Sequence, residues 1–157
     1  MIIREDDLSG PEVKALLEAH LDLMRSNSPP ESTHALDLDG LRAPEVTFWS
    51  LWDGLSLLGC GALKDLGQGH GEIKSMHTAQ AARGKGVARR LVEHILAEAR
   101  RRGYRRLSLE TGATEDFAAA RGLYSGFGFT FCEPFADYVL DPFSVFMTLE
   151  LGAEGGA

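Results

Sequence analysis

The segment RGKGVA at positions 83–88 joins a run with the pattern of a strand to a long amphipathic helix, and the predicted fold is organised around it. Gly84 and Gly86 allow the backbone to turn sharply and to expose consecutive N–H groups. Since the segment opens a helix, unpaired first-turn amides and the positive end of the helix dipole meet at the same place. The segment therefore predicts a phosphate-binding loop, and a basic turn that merely starts a helix is the alternative.

Composition sets the class of protein. The chain has 157 residues, 44% of them hydrophobic, so we expect one domain over 1–151 and a disordered tail over 152–157. A net charge of −7 argues against nucleic acid as a partner.

No apolar run approaches the roughly 20 residues that span a membrane, and the N-terminus does not resemble a signal peptide, so we expect a cytoplasmic protein without a membrane partner. Cys60 and Cys132 lack metal-ligand spacing; we expect core thiols and no metal.

Hydrophobic periodicity predicts alternating strands and helices. Strands are expected over 1–5, 46–52, 55–66, 72–78, 105–111, 130–133 and 144–151. Helices are expected over 11–24, 87–102 and 115–124, with a short helix over 33–41. The phosphate-binding loop therefore follows a strand and opens a helix.

Several of these features occur together in one known superfamily. The 83–88 loop, the amphipathic helix, the ARGLY segment at 120–124 and the Gly-Phe pair at 128–129 resemble the GNAT superfamily of acyl-CoA-dependent N-acetyltransferases. The resemblance implies a single-domain α/β (α+β) fold with a mixed, mostly antiparallel twisted sheet and helices on both faces. It also implies that the central strands, 72–78 and 105–111, splay apart.

The same resemblance implies acetyl-CoA as the cosubstrate, with its pantetheine arm in the gap between the splayed strands. Backbone amides of the loop would hold the pyrophosphate, and the main chain of the preceding strand would contact pantetheine and the thioester carbonyl. The chain departs from the family pattern at Phe117, where an Asn is often found. The cofactor-binding residues implied are Met76, His77, Thr78, Arg83, Gly84, Lys85, Gly86, Val87, Ala88 and Arg89.

The implied reaction is direct attack of a primary amine, from a small molecule or a peptide, on acetyl-CoA in a ternary complex. A lysine-like amine is neutral in only about one part in 10³ at pH 7, so a general base is useful. Glu72 matches a base position of the superfamily, and Tyr124 matches a tyrosine that protonates the leaving thiolate. The alternatives are His77 or water as the base, a solvated strand-end carboxylate at Glu72, and a core tyrosine at position 124.

Acceptor recognition is expected in the C-terminal segment. Acidic and aromatic residues there could offer negative charge and an exposed aromatic surface to a cationic amine, or form an ordinary solvated loop; they are Glu133, Phe135, Asp137, Tyr138 and Asp141. A non-catalytic acyl-CoA sensor of the same fold is the alternative function. A dinucleotide-binding module is disfavoured, because Arg89 replaces the third glycine of G-x-G-x-x-G. The sequence does not specify the acceptor, and it is compatible with a homodimer.

Overall fold

A computed structural model describes residues 1–32 and 36–152, which form one seven-stranded sheet with helices packed on it. The strands are β1 (Ile2–Glu5), β2 (Val46–Asp53), β3 (Ser56–Gly67), β4 (His70–Thr78), β5 (Arg106–Gly112), β6 (Thr130–Cys132) and β7 (Ser144–Glu150). The helices are α1 (Pro11–Asn27), α2 (Leu38–Leu41), α3 (Val87–Arg101) and α4 (Ala118–Gly126), with 3-10 turns at Pro30–Ser32, Gln80–Ala82 and Glu115–Phe117. None of the helices in these ranges is both long and apolar enough to cross a membrane.

The sheet is mixed and mostly antiparallel, as predicted. Its strand order is β1-β2-β3-β4-β5-β7-β6, and only the β4–β5 pair is parallel. Successive strand residues face opposite sides of a sheet. Ala62 accordingly packs in a cluster with Leu17 of α1, whereas its neighbour Leu63 packs with Ile95 of α3. The helices α1 and α3 therefore cover opposite faces, which confirms the predicted arrangement.

The central strands splay apart beyond their first four residues. Backbone pairing of β4 with β5 runs from His70–Arg106 to Ile73–Leu109, although both strands continue for several residues. Ser75 has a φ of 56°, and the β3–β4 register shifts at the same place, so β4 carries one extra residue. Such a bulge bends a strand and interrupts its pairing. The splayed strands confirm the predicted gap, whereas the bulge at Ser75 was not predicted.

Two predictions about local structure are wrong. The helix expected over 33–41 is limited to Leu38–Leu41, capped by Asp37, which accepts from the Gly40 N–H at 2.9 Å; positions 33–35 lie outside the described residues. Cys60 is a core thiol, but Cys132 is partly exposed because it ends the three-residue edge strand β6. Of the tail expected to be disordered, positions 153–157 lie outside the described residues.

Candidate active site

A cavity of about 610 Å³ occupies the gap between β4 and β5 and continues to the start of α3. Its volume lies within the range of small-ligand sites, roughly 300–1,000 Å³. Every predicted site residue except the exposed Lys85 lines it. The predicted residues on its wall are Glu72, Met76, His77, Thr78, Arg83, Gly84, Gly86, Val87, Ala88, Arg89 and Tyr124. The residues singled out in the sequence therefore lie together around one cavity, and their roles in binding and catalysis stay predictions.

The glycine loop presents main chain to one end of the cavity. Gly84 and Gly86 have φ angles of 80° and 78°, a left-handed conformation that side chains other than glycine rarely adopt. A Cβ atom at either position would meet no atom within 4 Å, so open space lies in front of the loop. Gly86 caps the 15-residue helix α3 without a side-chain hydrogen bond to its first-turn amides. The loop thus combines unpaired amides, a helix N-terminus and the charges of Arg83 and Arg89.

The unpaired part of β4 also presents main chain to the cavity. The Met76 side chain packs towards Gly61 of β3 and Ile95 of α3, since a Cβ at Gly61 would lie 2.4 Å from Met76 Sδ and 3.3 Å from Ile95 Cδ1. Ser75 is among the residues that line the cavity, but its Oγ atom is buried and has no hydrogen-bond partner among the described residues. Buried polar atoms are rarely left unpaired. The main chain of β4 beyond Ile73, which does not pair with β5, is nevertheless available to a ligand that fills the gap.

Tyr124 belongs to both the core and the cavity. It is 6% exposed, and its ring lies 5.7 Å from the Phe129 ring in an edge-to-face contact. Burial raises the pKa of Tyr124 above its ordinary value, so the phenol carries its proton at neutral pH. A protonated hydroxyl on the wall of the cavity can donate a hydrogen bond to a bound ligand.

Glu72 is not the solvated strand-end carboxylate that the sequence left open, because β4 begins two residues earlier and the chain after β6 covers it. The residue is 2% exposed. Its Oε2 accepts hydrogen bonds from Lys74 Nζ at 3.1 Å and from the Tyr138 hydroxyl at 2.5 Å. A buried carboxylate requires such partners. Glu72 thus lines the cavity as a paired charge.

The aromatic residues after β6 do not form the exposed surface that was expected. Phe135 is 8% exposed, and its ring lies 5.2 Å from Tyr138 and 5.9 Å from Phe146. Asp141 accepts a hydrogen bond from Ser32 Oγ, which joins this segment to the turn after α1. Packing against the sheet therefore turns these rings inward, whereas Glu133 and Asp137 remain exposed.

A histidine pair on the cavity wall was not predicted. His20 Nδ1 on α1 lies 3.1 Å from His77 Nδ1 on β4, so one ring donates to the other. Burial lowers the pKa of His20 to about 4 and also lowers the pKa of His77, so both rings are neutral at pH 7. The position of His20 on the apolar stripe of α1, beside Leu16 and Leu17, is the pattern that could have indicated contact with the sheet.

Comparison with known proteins decides the family. The family model described as "Acetyltransferase (GNAT) family" matches residues 13–129, which is most of the chain. The chain belongs to the GNAT family. The uncharacterized N-acetyltransferase YsnE of Bacillus subtilis strain 168 is 58% identical over 151 residues, covering 96% of this chain and all of that relative.

A further relative is similar in sequence, and a solved structure is similar in fold. A protein of Azospirillum brasilense named IAA acetyltransferase is 42% identical over 147 residues, covering 93% of this chain and 94% of the relative. The crystal structure of a Bacillus subtilis acetyltransferase in complex with CoA has the same fold, with a TM-score of 0.67 at 17% identity over 94% of this chain and 97% of that one. The chain is an N-acetyltransferase of the GNAT family.

This GNAT chain has an apolar wall at the position where its sequence departs from the family pattern. Phe117 is 9% exposed and lines the cavity. A Cβ at Gly112 would lie 2.1 Å from Phe117 Cδ2, so the ring packs directly on the backbone of β5. Phe117 can contribute van der Waals contact to a ligand in the gap but no side-chain hydrogen bond.

Proposed function

We propose that this protein transfers the acetyl group of acetyl-CoA to a primary amine of a small molecule or a peptide, by direct attack in a ternary complex. One observation carries the proposal: a single cavity joins the gap between β4 and β5, the glycine loop at the start of α3, and the side chains of Glu72 and Tyr124. Convergence of proton-transfer groups on a ligand cavity favours an enzyme over a non-catalytic acyl-CoA sensor.

The cavity suits acetyl-CoA, which supplies the acetyl group as a thioester. Amides of the glycine loop and of the first turn of α3 would hold the pyrophosphate, with charge from Arg83, Lys85 and Arg89. The main chain of Met76–Thr78, on the edge of β4 that does not pair with β5, would pair with the pantetheine arm. A backbone amide near Met76 would stabilise the negative charge that develops on the thioester oxygen.

Glu72 and Tyr124 serve the proton transfers of the proposed reaction. The ammonium form of the acceptor first loses one proton to solvent, and Glu72 takes the second proton from the neutral amine as the new C–N bond forms at the acetyl carbon. The C–S bond breaks, and Tyr124 donates its hydroxyl proton, or a hydrogen bond, to the departing sulfur. The products are the N-acetylated amine and CoA, and both enzyme groups return to their starting protonation states by exchange with solvent.

A covalent acetyl-enzyme route is disfavoured by the state of the two cysteines. Cys60 is fully buried, and burial raises the pKa of its thiol to about 12. Burial also raises the pKa of Cys132 above its ordinary value. Since the thiolate is the nucleophile, neither side chain is activated for attack on a thioester. This supports direct transfer to the amine.

The acceptor end of the cavity supports a basic amine. Glu110 of β5 and Asp116 of the turn before α4 line the cavity, and they offer negative charge to an approaching ammonium group. In this proposal they replace the aromatic residues after β6 as the acceptor-recognising groups. The relative named IAA acetyltransferase adds IAA to the acceptors that should be tested.

The test is release of CoA thiol from acetyl-CoA across alkyl amines, amino sugars, amino acids, peptides and IAA. We expect turnover with at least one amine, and Glu72→Gln should lower kcat roughly 10²-fold while leaving the affinity for acetyl-CoA intact. Glu5→Gln, at an exposed position on the edge strand β1 and away from the cavity, is the matched control and should behave as wild type. Binding of acetyl-CoA without turnover on any amine would favour the sensor, and absence of binding would contradict the proposal altogether.

A further inference from the structure

We propose that Tyr138 is a positioning residue for acetyl transfer: together with Lys74 it holds one carboxylate oxygen of Glu72, so that the other oxygen receives the proton of the acceptor amine. The inference rests on the proposed function, in which Glu72 is the base. It gives the segment after β6 a role that its sequence did not indicate.

The three side chains form a closed hydrogen-bonded triangle. Tyr138 Oη donates to Glu72 Oε2 at 2.5 Å, and Lys74 Nζ donates to the same oxygen at 3.1 Å. Lys74 Nζ also donates to Tyr138 Oη at 2.8 Å. Among the described residues, no hydrogen bond is made to Glu72 Oε1. The two oxygens of this carboxylate therefore have different surroundings.

This asymmetry matters because a glutamate carboxylate turns easily about its last side-chain bond. Two donors on Oε2, one of them an ammonium group, fix that rotation and occupy the lone pairs of the oxygen. Oε1 is then the oxygen left to accept a proton, and Glu72 lies on the cavity wall. Tyr138 itself is not required to touch the acceptor.

The position of Tyr138 is set by packing as well as by Glu72. Its ring lies 5.2 Å from the Phe135 ring and 5.5 Å from the Phe146 ring, in an aromatic cluster on the face of the sheet that carries Glu72. Burial, followed by the neighbouring Glu72 carboxylate, raises the pKa of Tyr138 above its ordinary value. The hydroxyl therefore carries its proton at neutral pH and can donate it to Glu72.

Several other titratable groups surround the triangle and must be considered in any pH experiment. They come from each element packed around Glu72: Lys64 of β3, His70 and Lys74 of β4, Glu110 of β5 and His20 of α1. Among the described residues only Lys74 and Tyr138 donate to the Glu72 carboxylate. Tyr138 is the cleaner probe, because replacing it by Phe changes no charge.

The experiment compares Tyr138→Phe with wild type in kcat, in the KM for acetyl-CoA and in the pH profile of kcat/KM. We expect kcat to fall roughly tenfold with an unchanged KM for acetyl-CoA. We also expect the acidic limb to move up by about one pH unit, because the ionised carboxylate loses a stabilising hydrogen bond. If Tyr138→Phe has the kcat of the wild type and the acidic limb of its kcat/KM profile lies at the wild-type pH, the Tyr138 hydroxyl contributes only to packing.

A second pair of variants keeps the inference testable if Tyr138→Phe folds poorly. Lys74→Gln retains an N–H donor for Oε2, whereas Lys74→Met has similar length and no donor, so Gln should keep several-fold more activity. Equal activities would contradict the positioning role. Glu72→Gln separates the two proposals: full activity in that variant overturns both. If Glu72→Gln is inactive and the acidic limb of Tyr138→Phe is unmoved, only the role of Tyr138 is overturned.

Discussion

The two ends of the cavity are built from different parts of the chain. The proposed acetyl-CoA end consists of main chain: the glycine loop, the first turn of α3 and the unpaired residues of β4. The proposed acceptor end consists of side chains, chiefly the Glu72–Lys74–Tyr138 triangle and the His20–His77 pair. The first end should therefore be sensitive to changes of backbone conformation, and the second to the loss of single polar atoms.

The largest effect is expected at the main-chain end. Gly86→Glu forces a side chain onto a backbone with φ of 78° and places a carboxylate in the open space in front of the loop. Lost amide contacts and charge repulsion together should cost about 4 kcal/mol of CoA binding, a weakening of about 10³-fold. Isothermal titration calorimetry with CoA measures it.

Gly103→Glu is a matched control for that variant. Gly103 lies just beyond the other end of α3, has a φ of 80°, and likewise has no atom within 4 Å of its Cβ position. The same backbone strain is introduced, at roughly 1–2 kcal/mol of folding stability, but far from the loop. CoA affinity should be unchanged in this variant. Equal loss of affinity in both variants would mean that strain, and not the site, explains the result.

The next largest effect is expected at Tyr124, which lines the cavity. Tyr124→Phe keeps the ring and its contact with Phe129 and should lower kcat by about 10- to 10³-fold, with little change in acetyl-CoA binding. The raised pKa of Tyr124 favours a hydrogen bond to the developing thiolate over complete proton transfer. Tyr104→Phe, whose ring packs on Gly71, is the control. Wild-type kcat for Tyr124→Phe, where chemistry limits the rate, would leave Tyr124 a packing residue.

The histidine pair should make stability depend on pH. The pKa of His20 is about 4 in the folded chain and about 6.5 when unfolded, so the unfolded state binds its proton first as the pH falls. The free energy of unfolding should decrease by up to about 3 kcal/mol between pH 6.5 and 4, and be unaffected by this group above that range. Urea unfolding at several pH values measures it.

Two variants test whether the His20–His77 pair causes this dependence of the free energy of unfolding on pH. His20→Gln removes the titrating group, so the loss of stability on acidification should become shallower. His77→Gln removes the partner ring, whose pKa burial also lowers, and it should likewise make the slope shallower. A slope that is identical in wild type and His20→Gln would contradict the assignment.

A smaller effect tests the wall between the two ends. Gly112→Ala places a methyl group within 2.1 Å of Phe117 Cδ2, so the ring must move. We expect a loss of roughly 1–3 kcal/mol in stability and a higher KM for acetyl-CoA. Gly122→Ala, in an exposed and open part of α4, should instead stabilise the protein by about 0.5–1 kcal/mol. Thermal unfolding that shows the same sign for both variants would contradict the packing at Phe117.

The main-chain end could be predicted from sequence because its determinants are local. Two glycines before an amphipathic helix specify the loop, and nearly all of the predicted residues line the cavity. The side-chain end could not be predicted, because its contacts join residues far apart in the chain. Tyr138 and Glu72 are separated by 66 positions, and His20 and His77 by 57. The inward turn of Phe135 likewise depends on packing against Phe146, which no local pattern encodes.

Hydrogen–deuterium exchange with and without CoA tests the central claim most directly, because it reports on main-chain amides along the chain. The account predicts slower exchange on CoA addition in peptides covering 83–90 and 75–78, and no change in peptides covering 102–105 at the far end of α3. Unchanged exchange at both 83–90 and 75–78, with protection confined to the segment 133–143, would contradict it.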